Sequence, residues 1–167
     1  MYDPYCPQTR PDVQRDIIGS MDGWFTFSYH EDDLDPSAAF PAGYKAVRPI
    51  ACVSLSRGGK SVEPFWSVLD TGADFCVFPS KYLEVLGIER SALKTAPVFG
   101  LGSAEVPFAE VTLEISGLGK WAIYAGFADL HKESPLGLIG QSGFFDRYTI
   151  LFDYRARCCA VTEESNV

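Results

Sequence analysis

The sequence predicts an all-β protein, and three observations carry that prediction. From Val47 onward, short runs of β-branched and aromatic residues alternate with turn signals, the pattern of a β-barrel or sandwich. Residues Glu110 to Ser116 alternate with a period of two, setting Val111, Leu113 and Ile115 on one face. A single stretch, Pro79 to Gly87, reads as a clear helix, with Pro79 suited to its first turn, Tyr82, Leu83, Val85 and Leu86 as its apolar face and Gly87 as its stop.

The elements follow in chain order. Residues 1 to 42 are rich in Asp, Pro and Gly without a sustained period and read as a partly ordered acidic extension, in which Trp24 to His30 can pair as one strand. Residues 43 to 162 form the expected folded domain, and 163 to 167 a tail. Val47 to Ser56 is a strand, Arg57 to Lys60 a turn, and Glu63 to Leu69 a second strand running into Asp70. Beyond the Asp70 to Ala73 loop, Asp74 to Phe78 is a third. Val98 to Phe108, with Gly100 and Gly102 one residue apart, suits a hairpin tip that bends or moves. Gly117 to Gly119 turns the chain and Lys120 to Ala128 returns it. Leu136 to Gln141 is an apolar strand stopping at Gly140, Ser142 to Tyr148 permits a short helix, and Tyr148 to Asp153 with Cys158 to Thr162 makes a last hairpin.

Size and charge bound the function. A chain of 167 residues is one domain that buries roughly two-thirds of its unfolded surface, enough to fold without a metal or a disulfide. No apolar run is long enough for a membrane span, and the first residues lack the basic start and apolar stretch of a secretory leader, so a soluble cytoplasmic protein is expected. The net charge of −8 is concentrated in residues 1 to 40, which carry −6. No basic patch is left for nucleic acid. The five cysteines (Cys6, Cys52, Cys76, Cys158, Cys159) match no zinc or redox spacing and read as reduced, mostly buried thiols, with Cys158 and Cys159 pointing to opposite faces of a strand so that one is open to oxidation.

The catalytic constellations narrow quickly. A serine or cysteine nucleophile needs a histidine base, but His30 lies in the acidic extension and His131 in a polar loop. The glycine pair near residue 100 leads into a strand rather than a helix, against phosphate binding, and no set of ligands is spaced for a metal. No cofactor is expected. What remains is Asp70, an acid carried into apolar strand and followed by Thr71 and Gly72. A carboxylate there is costly unless it is hydrogen-bonded, paired or needed for chemistry. Two aspartates held together share a proton, one serving as general base toward water and the other as general acid toward a carbonyl, with an acid or mildly acid optimum. Gly72 lets such a loop turn tightly, and the Thr71 hydroxyl can brace it.

The run Leu69-Asp70-Thr71-Gly72-Ala73-Asp74, the stretch Phe99 to Ala104 and the segment Pro135 to Asp153 resemble, in that order, the retropepsin-like aspartic proteases of the single-domain bacterial type. The resemblance covers about residues 43 to 162. It implies a closed β-barrel of the acid-protease type, with one or two short helices and one lobe per chain, that becomes an aspartic endopeptidase as a homodimer acting on a peptide or protein substrate. Asp70 is the implied catalytic residue, Thr71 the contact to its counterpart, Gly72 the tight turn and Ala73 a neighbour lining the site. Asp74 with the flap residues Phe99, Gly100, Leu101 and Gly102 would hold substrate, and Leu138, Ile139 and Gly140 would support the loop. Retroviral members have an arginine where Gln141 stands, so the ion pair to Asp74 is missing here or borrowed from Arg147. A non-catalytic dimerisation or peptide-binding module on the same fold is the alternative. A third reading makes Asp70 to Ala73 an ordinary turn, with Asp70 outside and far from Gly140.

Overall fold

A computed structural model describes residues 23–98, 104–129 and 136–163. Its strands in chain order are β1 (Phe25–Leu34), β2 (Tyr44–Arg57), β3 (Lys60–Ser61), β4 (Phe65–Leu69), β5 (Val77–Phe78), β6 (Thr95–Val98), β7 (Ala104–Ile115), β8 (Gly119–Phe127), β9 (Gly137–Ile139), β10 (Tyr148–Asp153) and β11 (Cys158–Glu163). Among the described residues helix is confined to the four residues of α1 (Tyr82–Val85) and a 3-10 turn at Arg90–Ala92. The protein is all-β.

The strands join one sheet in the order β10-β11-β1-β2-β4-β9-β5-β8-β7-β6, with β3 on β2 and a further pairing of β2 with β7. Strand β2 is long enough to change partners along its length: its first half lies against β1, Ile50 to Val53 against β4, and Val53 to Ser56 against β7. The alternation read in β7 fixes its register. Val111 faces Ile123 and Leu113 faces Trp121 across the hairpin with β8, and all four are buried. Each such side chain contributes roughly 1.5–3 kcal/mol on leaving water. Around them gather Leu55, Phe78, Phe127, Ile139 and Phe144, none more than 1% exposed. The turn uses Gly117 at φ 88° and Gly119 at φ 118°. Gly58 and Gly59, both at positive φ, turn β2 into β3 in the same way.

Local expectations are modified in places. The helix is a single turn closed as a Schellman motif, Ile88 N–H donating to Leu83 C=O and Gly87 N–H to Glu84 C=O. Tyr82, Leu83 and Leu86 form its buried side, whereas Val85 falls outside that arc and is exposed. Between the bridge at Ser142 and the start of β10 at Tyr148, residues 143 to 147 form consecutive turns rather than a helix, because Gly143 takes φ 104°, a left-handed backbone that ends helical propagation. The acidic run Glu31 to Asp33 is strand, not loop, and His30 lies in the same strand with its Nε2 3.1 Å from Asp32 Oδ1.

The cysteines also differ from expectation. Cys52 is disulfide-bonded, while Cys76, Cys158 and Cys159 are free and all buried. Cys158 and Cys159 are successive residues of β11, and both are buried, so neither is the exposed thiol that the alternation suggests. No helix among the described residues is long and apolar enough to cross a membrane.

Candidate active site

Strand β4 carries the chain to Asp70, and its parallel pairing with β9 decides what stands beside that residue. The register Ser67 to Gly137, Val68 to Leu138 and Leu69 to Ile139 brings Gly140 alongside Asp70, and Asp70 N–H donates to the Ile139 carbonyl at 3.0 Å. The third reading of the sequence, an outlying turn far from Gly140, is therefore wrong. The carboxylate closes its own turn: Asp70 Oδ1 accepts the Gly72 N–H at 2.9 Å, and Ala73 N–H donates to the Asp70 carbonyl at 3.2 Å. Asp70 and Ala73 are half-buried, and Thr71, Gly72 and Asp74 are exposed.

A second set of bonds ties this loop to the segment after β9. Gln141 N–H donates to the Ala73 carbonyl at 2.8 Å and Ser142 N–H to the Asp74 carbonyl at 2.9 Å. The Gln141 amide then reaches back, its Nε2 donating to the Thr71 carbonyl at 3.0 Å. Gln141 thus serves the loop as a neutral brace. Arg147 takes no part, its guanidinium lying 5.3 Å above the Trp121 ring.

The apolar-Gly segment is tightly placed. Ile139 and Gly140 are buried and Leu138 half-buried. Below the crossing sits Cys76, whose Sγ accepts the Gly140 N–H at 3.4 Å and lies 3.5 Å from the Ser142 carbonyl as donor. Burial pushes this thiol up to about 11. Nothing in the sequence marks that role, since a lone cysteine in an apolar strand looks like any other core residue.

The surroundings offer room for a ligand. Thr71, Asp74, Gln141, Ser142, Phe145 and Asp146 line an open groove of about 560 Å³. On the other side Phe75, 38% exposed, packs edge-on against Phe108 at 5.3 Å, and Phe108 stacks on Tyr124 at 5.5 Å. Trp121 and Phe127 are core, Phe108 is buried beneath the Phe75 ring, and the half-buried Trp66 stacks on His30. Strands β6 and β7 pair antiparallel up to Val98 opposite Ala104, on either side of the stretch expected to form a flap. Its tip residues Phe99, Gly100, Leu101 and Gly102 lie outside the described residues, as does Pro135. Among the described residues no group of three His, Cys, Asp or Glu side chains could hold a metal ion.

No protein-family model matches the chain, and no curated protein matches it. Among solved structures it is similar to the crystal structure of a retropepsin-like aspartic protease from Rickettsia conorii, with 16% identity over 85% of this chain and 97% of that chain and a TM-score of 0.46.

Proposed function

We propose that the chain is one half of an aspartic endopeptidase, in which two copies each contribute an Asp70 to a shared site. The observation that carries this reading is the double anchoring of the Asp70 loop. Its start is bonded to β9 and its end to Gln141 and Ser142, while the carboxylate stands at the rim, half-buried on a rigid frame. One acid cannot supply both a base and an acid at once, and the chain holds a single Asp-Thr-Gly. The second pairing of β2, to β7, supports reading the strands from β2 through β4, β9, β5, β8 and β7 as a closed barrel.

In the reaction, the ionised Asp70 carboxyl takes a proton from water while the protonated one gives its proton to the carbonyl oxygen of the scissile peptide. The water oxygen bonds to the carbonyl carbon and a gem-diol results. The carboxyl that took the water proton then gives it to the nitrogen while the other carboxylate takes a proton from a gem-diol hydroxyl; the C–N bond breaks, and a carboxylic acid and an amine leave with the pair again sharing one proton. An extended peptide would lie between the β6–β7 arms and the loop, adding as a strand.

The test is Asp70→Asn. The variant is expected to fold and associate as the parent does and to lose peptide cleavage altogether, with the parent blocked by a statine-type inhibitor. Undiminished cleavage by the variant, or a parent that binds peptides without turnover, would remove the catalytic reading.

A further inference from the structure

Residues Gly140 to Ser142 carry the chain from β9 past the Asp70 loop, and two sets of bonds hold them. The Gln141 and Ser142 N–H groups donate to the Ala73 and Asp74 carbonyls of the loop. The second set ends on a single sulfur: Cys76 Sγ accepts the Gly140 N–H at 3.4 Å and donates to the Ser142 carbonyl at 3.5 Å. One atom therefore engages both ends of the segment. The sulfur is itself fixed, because the Cys76 carbonyl accepts the Gly126 N–H at 2.9 Å, and Val77, the next residue, pairs with Gly126 of β8 and Leu138 of β9. Its slot is full: Cys76 has no exposed surface, and a Cβ placed on Gly143 would lie 3.3 Å from Sγ.

We infer that Cys76 is a positioning residue for the Asp70 loop: its thiol ties Gly140 and Ser142 to the wall formed by β5 and β8, and through the Gln141 and Ser142 amides it sets where the loop, and with it the Asp70 carboxylate, stands. A cysteine that only fills space presents its sulfur to apolar atoms. Here the sulfur meets a backbone donor and a backbone acceptor, and because Gly140 is buried, its N–H would be stranded without that partner. Alanine at this position ends one atom short of both groups. The segment would then open or shift to satisfy them, loosening its bonds to Ala73 and Asp74. Serine keeps a donor and an acceptor at the same point of the chain. The inference rests on the proposed peptidase only for its effect on rate, since the placement of the loop can be measured without it.

The experiment compares the full-length parent with Cys76→Ala and Cys76→Ser by amide hydrogen exchange and by peptide cleavage. In Cys76→Ala the Gln141 and Ser142 amides are expected to exchange faster by roughly tenfold more than the buried Val111 and Leu113 amides of β7, which report general loosening of the fold. Its kcat should fall by a similar factor with KM unchanged, because the loop holds the acid and not the peptide. Cys76→Ser should recover most of both losses. Amides of β7 that quicken in step with Gln141 and Ser142, or a serine variant no better than alanine, would reduce Cys76 to core packing and overturn the inference. So would parental exchange and kcat in Cys76→Ala, and the protease reading would then stand without this tie. The expected exchange pattern in a parent that cleaves no peptide would instead leave the tie standing and remove the protease reading.

Discussion

A Cβ placed on Gly140 would lie 2.3 Å from the carbonyl oxygen of Phe75 and 2.7 Å from that of Ala73. Both atoms belong to backbone, so neither can swing aside, and the closeness is what lets Gln141 and Ser142 reach the Asp70 loop. Gly140→Ala is therefore expected to lower stability by about 1–3 kcal/mol through overpacking and to cut peptide cleavage more than stability alone explains. Chemical denaturation alongside a peptide assay at a temperature where the variant is folded checks both parts. A variant with parental stability and rate would show that the crossing tolerates a methyl group.

The Gln141 amide supplies the one side-chain bond from the post-β9 segment to the Thr71 carbonyl. Because Gln141 is exposed, Gln141→Ala should cost no more than about 1 kcal/mol of stability. Its larger expected effect is on the loop, seen as faster amide exchange at Thr71 to Ala73 and a reduced rate of cleavage. Unchanged exchange at those amides would show that the backbone bonds from Gln141 and Ser142 hold the loop unaided.

The parts of this arrangement that the sequence displays are those governed by local period and turn chemistry. The β7–β8 hairpin follows from alternation alone, with Gly117 and Gly119 punctuating it. The opposition of Asp70 and Gly140 came from a resemblance between motifs, since nothing within either segment specifies a parallel β4–β9 pair of three residues. Long-range pairing hides what it decides. Glu31, Asp32 and Asp33 look like a solvated loop until Lys45 and Arg48 arrive from β2, with Arg48 Nη1 2.6 Å from Asp32 Oδ2 and Lys45 Nζ 3.4 Å from Glu31 and 3.3 Å from Asp33. Cys158 and Cys159 look half exposed by alternation, yet both are buried, which takes packing on both faces of β11 that the local pattern does not show. Ser142 to Tyr148 satisfies a helical composition, and only the backbone of Gly143 shows why it turns instead.

Ser67 is fully buried three residues before Asp70, and its hydroxyl has no hydrogen-bond partner among the described residues. It faces Gly137, where an added Cβ would lie 2.4 Å from Ser67 Oγ. An unsatisfied buried hydroxyl carries a desolvation penalty of about 1–3 kcal/mol, while the space leaves no room for a larger side chain. Ser67→Ala should thus be stabilising by roughly 1 kcal/mol, a rise in melting temperature of about 2–4 °C for a domain of this size. A lower melting temperature would mean that the hydroxyl has a partner in solution.

Buried thiols set the response to alkali. Burial raises Cys76 from 9.0 to about 11 and, with the neighbouring Cys158 as a lesser cause, Cys159 from 9.0 to about 12. Burial likewise raises Tyr82 from 10.0 to about 12. In each case the folded protein keeps a proton that the unfolded chain releases at lower pH, so the unfolded state binds fewer protons and stability falls as pH rises. The loss begins near the unfolded thiol value of about 9 and continues until the folded groups ionise, reaching about 3 kcal/mol for a thiol displaced by about two pH units. Urea midpoints should therefore hold steady up to about pH 8 and decline toward about pH 11. Cys159→Ala should flatten that decline, because it removes a thiol with no exposed surface. Native Cys76, Cys158 and Cys159 should also resist alkylation at neutral pH and react together on denaturation. A midpoint that stays level through the alkaline range, or rapid alkylation of the folded protein, would mean that these thiols reach water.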